Sequence, residues 1–204
     1  QSQVLQVSPS SGIEDLRKAI SKHLLSFRGM SVDPNQIIIG AGTENLYEIL
    51  IKLIGTSKTF CIENPGYTKI RKVYDINKVH YVHADMDTNG IKIEELKKSN
   101  ADIVHISPNH HFPTGITMPV SRRYEILGWA NEKNDRYIIE DDYDSEFRQN
   151  GNPIPTFQSI DAFGKVIYMN TFSKSIASTI RISYMVLPEN LANLYYRTMD
   201  FYSC

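Results

Sequence analysis

Seven short apolar runs punctuate the chain, at 36–39, 59–62, 79–82, 103–106, 137–139, 166–169 and 182–187. Several are almost continuously apolar, as parallel strands buried on both faces are. Between many of them the period lengthens to that of an amphipathic helix. Leu46, Ile49, Leu50, Leu53 and Ile54 make one stripe, and Tyr124, Leu127 and Ala130, after a Ser121 cap, make another. A helix also precedes the first run: Ser11 and Glu14 have capping-box spacing ahead of Ile13, Leu16, Ile20, Leu24 and Phe27, and Gly29 ends the stripe. Strands alternating with helices predict an α/β sheet covered by helices.

In such sheets ligands bind beyond the carboxyl ends of the strands, and the chemistry-bearing residues of this chain follow the predicted strands at 40–43, 63–67, 107–115, 140–143 and 171–174. The last of these opens "TFSKSIASTIR" (171–181), which sets Lys174 among hydroxyls, with Arg181 seven residues on. A lysine here is either a solvated loop residue or an amine held for covalent work. An aldehyde cofactor carrying a phosphate asks for such a lysine with Thr171, Ser173 and Arg181 nearby.

"GAGTEN" (40–45) supplies glycines for close backbone approach to a phosphate, free amides at a helix start, and Thr43 as an N-cap. A dinucleotide fingerprint and a plain tight turn are the rival readings; Asn45 stands where the fingerprint wants its third glycine. "IIEDDYDSEF" (138–147) puts Asp141 and Tyr143 past a strand, where a carboxylate can pair with a protonated pyridine nitrogen. A solvated acidic loop or a magnesium site competes, the latter without any phosphate-loop motif to support it. "ENPGY" (63–67) places Tyr67 after a Pro-Gly turn, to stack on a flat ring or to cover the core. His105, His110 and His111 invite a metal, but no acidic or thiol ligand follows at metal spacing, and a shaped turn beside the cofactor fits better.

Composition narrows the classes. With 22 basic and 23 acidic residues the net charge is −1, so no domain-wide basic footprint points to nucleic acid. Cys61 and Cys204 give no disulfide framework. Without a signal peptide or an 18-residue apolar run, the expectation is a soluble, cytoplasmic protein with no membrane contact. The polar, patternless start and the uncapped helical end suggest a fragment.

Taken in order, "GAGTEN", "ENPGY", "PNHHFPTG", "IIEDDYDSEFR" and "TFSKSIASTIRISYMVLP" resemble the fold-type I pyridoxal-phosphate enzymes, and specifically the aminotransferase-like domain of MocR-type (GntR-family) transcription regulators. The resemblance spans nearly the whole chain. It implies a mostly parallel seven-stranded sheet with 182–187 antiparallel, residues 11–188 as the large domain, 1–10 as linker or N-terminal segment, and 189–204 as the start of a helix leading to an absent small domain. It implies pyridoxal 5'-phosphate as cofactor: Lys174 forming the Schiff base, Asp141 on the pyridine nitrogen, Tyr143 on the phenolic oxygen, and Tyr67 over the ring. Gly42, Thr43, Thr171, Ser173 and Arg181 would hold the phosphate.

The resemblance further implies cis bonds at Asn64–Pro65 and Phe112–Pro113, a homodimer, an amino-acid-like effector or substrate, and DNA contact through an N-terminal domain absent from this chain. Two departures favour regulator over aminotransferase, and both are habitual in MocR-type domains. Phe112 stands where ordinary aminotransferases carry asparagine before P-T-G, and Tyr143 follows Asp141 by two residues rather than three. Glu44, an acid where glutamine is common, would face away from the anion or help at the helix start.

Overall fold

Successive side chains along the central strands enter different helical layers. Ile138 joins one cluster and Ile139 another; Val166 and Ile167 divide likewise, as do Ile103 and Val104. That period-two split, with both sides apolar, is what a sheet covered on two faces requires. The structure, a computed structural model, describes residues 9–143, 154–172, 181–199 and 201. Its strands are β1 (Ile37–Gly40), β2 (Phe60–Asn64), β3 (Tyr81–Asp87), β4 (Gly90–Ile91), β5 (Ile103–Ile106), β6 (Tyr137–Asp141), β7 (Val166–Thr171) and β8 (Ser183–Val186). They form one sheet in the order β1-β8-β7-β6-β5-β2-β3-β4. β3, β2, β5, β6 and β7 run parallel, while β8 lies antiparallel between β7 and β1. The seven expected strands are present, and β4 adds a two-residue hairpin arm on the edge strand β3.

The helices are α1 (Glu14–Arg28), α2 (Thr43–Ile54), α3 (Thr68–Ile76), α4 (Ile93–Lys98), α5 (Val120–Asn131), α6 (Phe157–Ile160) and α7 (Glu189–Thr198). α2, α3 and α7 cover one face through Leu46, Leu50, Ile70, Tyr74, Leu191 and Tyr195. The opposite face is covered by α4, α5 and α6 through Leu96, Ile126, Trp129 and Phe157, and by α1 through Ile20 and Leu24 against Ile37, Ile39 and Val186.

Four local expectations are corrected. α1 starts at Glu14 with Ile13 as its N-cap and no side-chain cap; the capping box lies at Asp33 and Gln36 instead, before β1. Gly42, at φ +100°, takes the N-cap of α2, so Thr43 is the first helical residue rather than the cap. In α5 the N-cap is Pro119, ahead of Ser121, and Tyr124 is exposed while Arg123 is fully buried. The guanidinium of Arg123 donates to the carbonyls of Met118, Pro108 and Pro155 and to Asn109 Oδ1, and these bonds make its burial tolerable. The run at 79–82 gives way to β3 at Tyr81–Asp87 because Val79 closes the turn after α3, its amide bonded to the Tyr74 carbonyl. β3 is near the sheet edge and needs no apolar residues on both faces.

Candidate functional site

The carboxyl ends of β1, β2, β5, β6 and β7 open on one edge, and a cavity of about 570 Å³ lies there. That is the size range of small-ligand sites. Because β8 runs the other way, its beginning rather than its end reaches this edge, which brings Arg181 in. Among the described residues the cavity is lined by Gly42, Thr43, Tyr67, Asp141, Tyr143, Thr171 and Arg181. Seven of the nine residues singled out from the sequence therefore meet at one opening; Ser173 and Lys174 lie outside the described residues.

At the deep end, Asp141 is the last residue of β6 and is buried. Tyr47, from α2, donates its hydroxyl to Asp141 Oδ2 at 2.5 Å, and His105 Nε2 lies 3.7 Å from the same oxygen. Burial first, and then the Asp141 charge, push the Tyr47 phenol well above its ordinary value, so it stays the donor. His105 is fixed from its other side, where Nδ1 shares a 2.7 Å hydrogen bond with the Tyr74 hydroxyl. Among the described residues, Asp141 Oδ1 has no hydrogen-bond partner. A buried carboxylate oxygen without a donor is costly unless a ligand supplies one. This unfilled acceptor fits the N–H of a protonated ring nitrogen.

The walls come from two turns. Asn64–Pro65 and Phe112–Pro113 are both cis, as the resemblance implies. At Gly66 a Cβ would lie 2.3 Å from the Glu63 carbonyl oxygen, so only glycine lets the turn fold back and present Tyr67. Tyr67 and Phe112 meet edge to face, ring centres 5.8 Å apart. Tyr143 donates its hydroxyl to the His110 carbonyl at 2.9 Å.

Beneath the two turns, Glu63 Oε2 accepts the Ser107 amide at 3.0 Å and lies 3.4 Å from His111 Nε2. Burial pushes Glu63 up to about 8 and His111 below its ordinary value, so the pair is neutral near pH 7. His105, His110 and His111 thus serve three different neighbours, and no metal-holding group of three His, Cys, Asp or Glu occurs among the described residues.

At the outer end, Gly42 has a φ of +100°, which favours glycine, and the Arg181 guanidinium lies close against it, 2.9 Å from where a Cβ would be. Thr171 Oγ1 accepts the Ser183 hydroxyl at 2.9 Å, tying the end of β7 to the start of β8. Glu44 turns toward Arg181 and Lys69 rather than away from the anion-binding end. Burial alone would raise its carboxyl, but the Lys69 hydrogen bond, its own backbone amide, and the charges of Lys69 and Arg181 bring it down to about 2.

Sequence reasoning missed Tyr47, Lys69 and the role of His105. Tyr47 looks like one more apolar position of the α2 stripe, and Lys69 like a solvated surface lysine. His105, the one ionisable residue inside the apolar run of β5, was a signal that could have been followed to Asp141.

Comparison with known proteins agrees with this fold. The sequence profile described as "Aminotransferase class I and II" matches residues 1–204. An HTH-type transcriptional regulator of Bacillus subtilis, YdeL, is 40% identical over 196 residues, 93% of this chain and 42% of its own. The probable rhizopine catabolism regulatory protein MocR of Rhizobium meliloti is 31% identical over 91% of this chain and 38% of its own. The chain therefore spans about two fifths of the length of these curated relatives. Among solved structures, the kynurenine aminotransferase of Pyrococcus horikoshii, crystallised with PMP, superposes with a TM-score of 0.83 at 27% identity, over 97% of this chain and 52% of that one. An archaeal alanine:glyoxylate aminotransferase superposes at 0.86 with 23% identity, over 98% of this chain and 53% of that one, a likeness of fold. No helix among the described residues is long and apolar enough to cross a membrane.

Proposed function

We propose, from the premise that this chain belongs to the class I and II aminotransferase family, that it is the pyridoxal 5'-phosphate-binding effector domain of a transcription regulator. It senses an amino-acid-like amine. The observation that carries this reading is Asp141 Oδ1, a buried carboxylate oxygen without a donor in a cavity walled by Tyr67 and Phe112. When bound, pyridoxal 5'-phosphate supplies an aldehyde carbon that exchanges one amine for another and a ring that withdraws electrons.

The residues of this chain do the rest. Asp141 would accept the ring N–H and favour its charged form, with Tyr47 holding the other carboxylate oxygen in place and His105 packed 3.7 Å from it. Tyr67 would cover one ring face, and Tyr143, whose hydroxyl donates to the His110 carbonyl, would turn it to the phenolic oxygen. Gly42, Thr43, Thr171, Ser173 and Arg181 take the phosphate. Lys174 would be the residue that holds the cofactor covalently through its amine. DNA contact belongs to a helix-turn-helix domain of the longer protein, as the names of the regulators imply, and the working unit is a homodimer.

The full-length protein given pyridoxal 5'-phosphate should develop a visible absorbance band that borohydride removes, absent in Lys174→Ala. The effector amine should shift that band without sustained keto-acid production from added 2-oxo acid. A normal band in Lys174→Ala would sink the assignment. Turnover at about 1–10³ s⁻¹, the ordinary enzyme range, would favour a second reading as a true aminotransferase, which the likeness to the kynurenine enzyme supports.

A further inference from the structure

Three separate segments meet at the outer end of the cavity. Glu44 lies in the first turn of α2, Lys69 in the first turn of α3, and Arg181 just before β8. The Glu44 carboxylate bridges the two cations, Oε1 in contact with the Lys69 ammonium and Oε2 3.2 Å from an Arg181 guanidinium nitrogen. Thr43 adds its hydroxyl at 3.4 Å from Oε2. All four residues line the same cavity as Asp141, whose unpartnered buried oxygen independently marks that cavity as built for a ligand. The carboxylate sits over Gly42, where a Cβ would come within 3.3 Å of Oε2. It thus occupies the mouth of the α2 start, where free amides favour an anion.

We propose that Lys69 and Arg181 form a two-pronged site for a phosphate monoester, and that Glu44 is the internal anion the phosphate must displace. A carboxylate with one oxygen on each cation already has the binding mode of a phosphate, so the prongs are held apart in the right geometry before any ligand arrives. The charge balance decides the sign of the effect. Two cations and one carboxylate present +1 to an incoming dianion, and the displaced carboxylate stays close enough to repel it. Without the Glu44 charge, the same dianion meets +2. Glu44 therefore weakens retention of a phosphorylated ligand and keeps it exchangeable, while Lys69 strengthens it. This rests on the reading that a cofactor phosphate enters this end of the cavity; it adds Lys69 as a ligand and Glu44 as its competitor.

The test uses the full-length protein, free of cofactor, and inorganic phosphate as the probe, followed by titration calorimetry or phosphorus NMR. Removing one full charge beside a dianion at a half-exposed site changes affinity about tenfold. Glu44→Gln should bind phosphate about tenfold more tightly than the wild type, Lys69→Met about tenfold more weakly, and the double variant close to wild type. If Glu44→Gln does not fold, Glu44→Asp should show a smaller tightening, because its shorter side chain no longer bridges both cations. Unchanged or weaker phosphate binding in the residue-44 variant, or unchanged binding in Lys69→Met, overturns the proposal.

The visible band formed with pyridoxal, which carries no phosphate, separates this inference from the function on which it rests. That band should form equally in wild type and Glu44→Gln. If pyridoxal 5'-phosphate itself gives no band in any variant while phosphate still follows the expected order, the cofactor reading fails and the anion site stands. If the band forms but phosphate ignores residues 44 and 69, the anion site fails and the cofactor reading stands.

Discussion

Asp141 has two oxygens in different situations, one held by Tyr47 and one without a partner among the described residues. Tyr47→Phe removes the donor and nothing else of size. The variant should lose about 1–3 kcal/mol of stability, the cost of a buried acceptor left without its bond. A urea midpoint equal to that of the wild type would show that Asp141 does not depend on Tyr47. Asp141 itself was legible in the sequence because an acid at the end of an apolar strand contradicts its surroundings. Tyr47 was not, since a tyrosine on the buried stripe of a helix satisfies the apolar pattern and hides its hydroxyl. The position of Glu44 was open to sequence reasoning, but its direction was decided by Lys69 and Arg181, which lie on other elements.

Elements are joined by buried charge as much as by apolar packing. Arg28, in the last turn of α1, reaches Asp142 just past β6, and both side chains are almost wholly buried. Asp142 also accepts from Asn109 Nδ2 at 2.8 Å and from the Tyr168 hydroxyl at 2.7 Å. The pair locks α1 to the residue that directly follows Asp141 at the end of β6. Arg28→Met should cost about 3–5 kcal/mol, because it strands a buried carboxylate. Adding Asp142→Asn should recover part of that loss, read from the urea midpoints of the two variants. A double variant less stable than Arg28→Met alone would remove the pair from its assigned role. Strand and helix identities were readable at this scale wherever the apolar period was unbroken, as in α2 and β5 to β8. The buried face of α1 was less so: it contains Arg17 and excludes Ile13, because Arg17 finds its acceptors at Gly12 and Pro34 in neighbouring loops. Partners at such distances along the chain leave no periodic mark.

Across the whole molecule, buried acids make stability depend on pH. Burial pushes Glu63 up to about 8; burial and the Asp142 charge push Glu140 up to about 7, against the opposing Arg123 and the amides of Phe157 and Gln158. A carboxyl raised on folding holds its proton when the unfolded chain has already lost it, so stability falls as pH rises from about 4.5 toward the folded value. His111, lowered by burial, acts the other way, but only below its ordinary value of 6.5. The net fall should therefore be clearest between about pH 6.5 and 8. Glu63→Gln should flatten it and gain about 1–2 kcal/mol over wild type at pH 8. A pH profile unchanged by that substitution would show that Glu63 is ionised in the fold. The antiparallel β8 has a consequence for synthesis on the ribosome. Among the described residues β1 pairs with no strand but β8, which emerges some 140 residues later, and Arg181 emerges with it. Until then the nascent chain carries an open strand edge, a natural target for chaperones, and lacks one prong of its anion site. Ligand capture should come after translation of this region, and ribosome-stalled chains ending before Arg181 should stay protease-sensitive whatever amount of phosphorylated ligand is added.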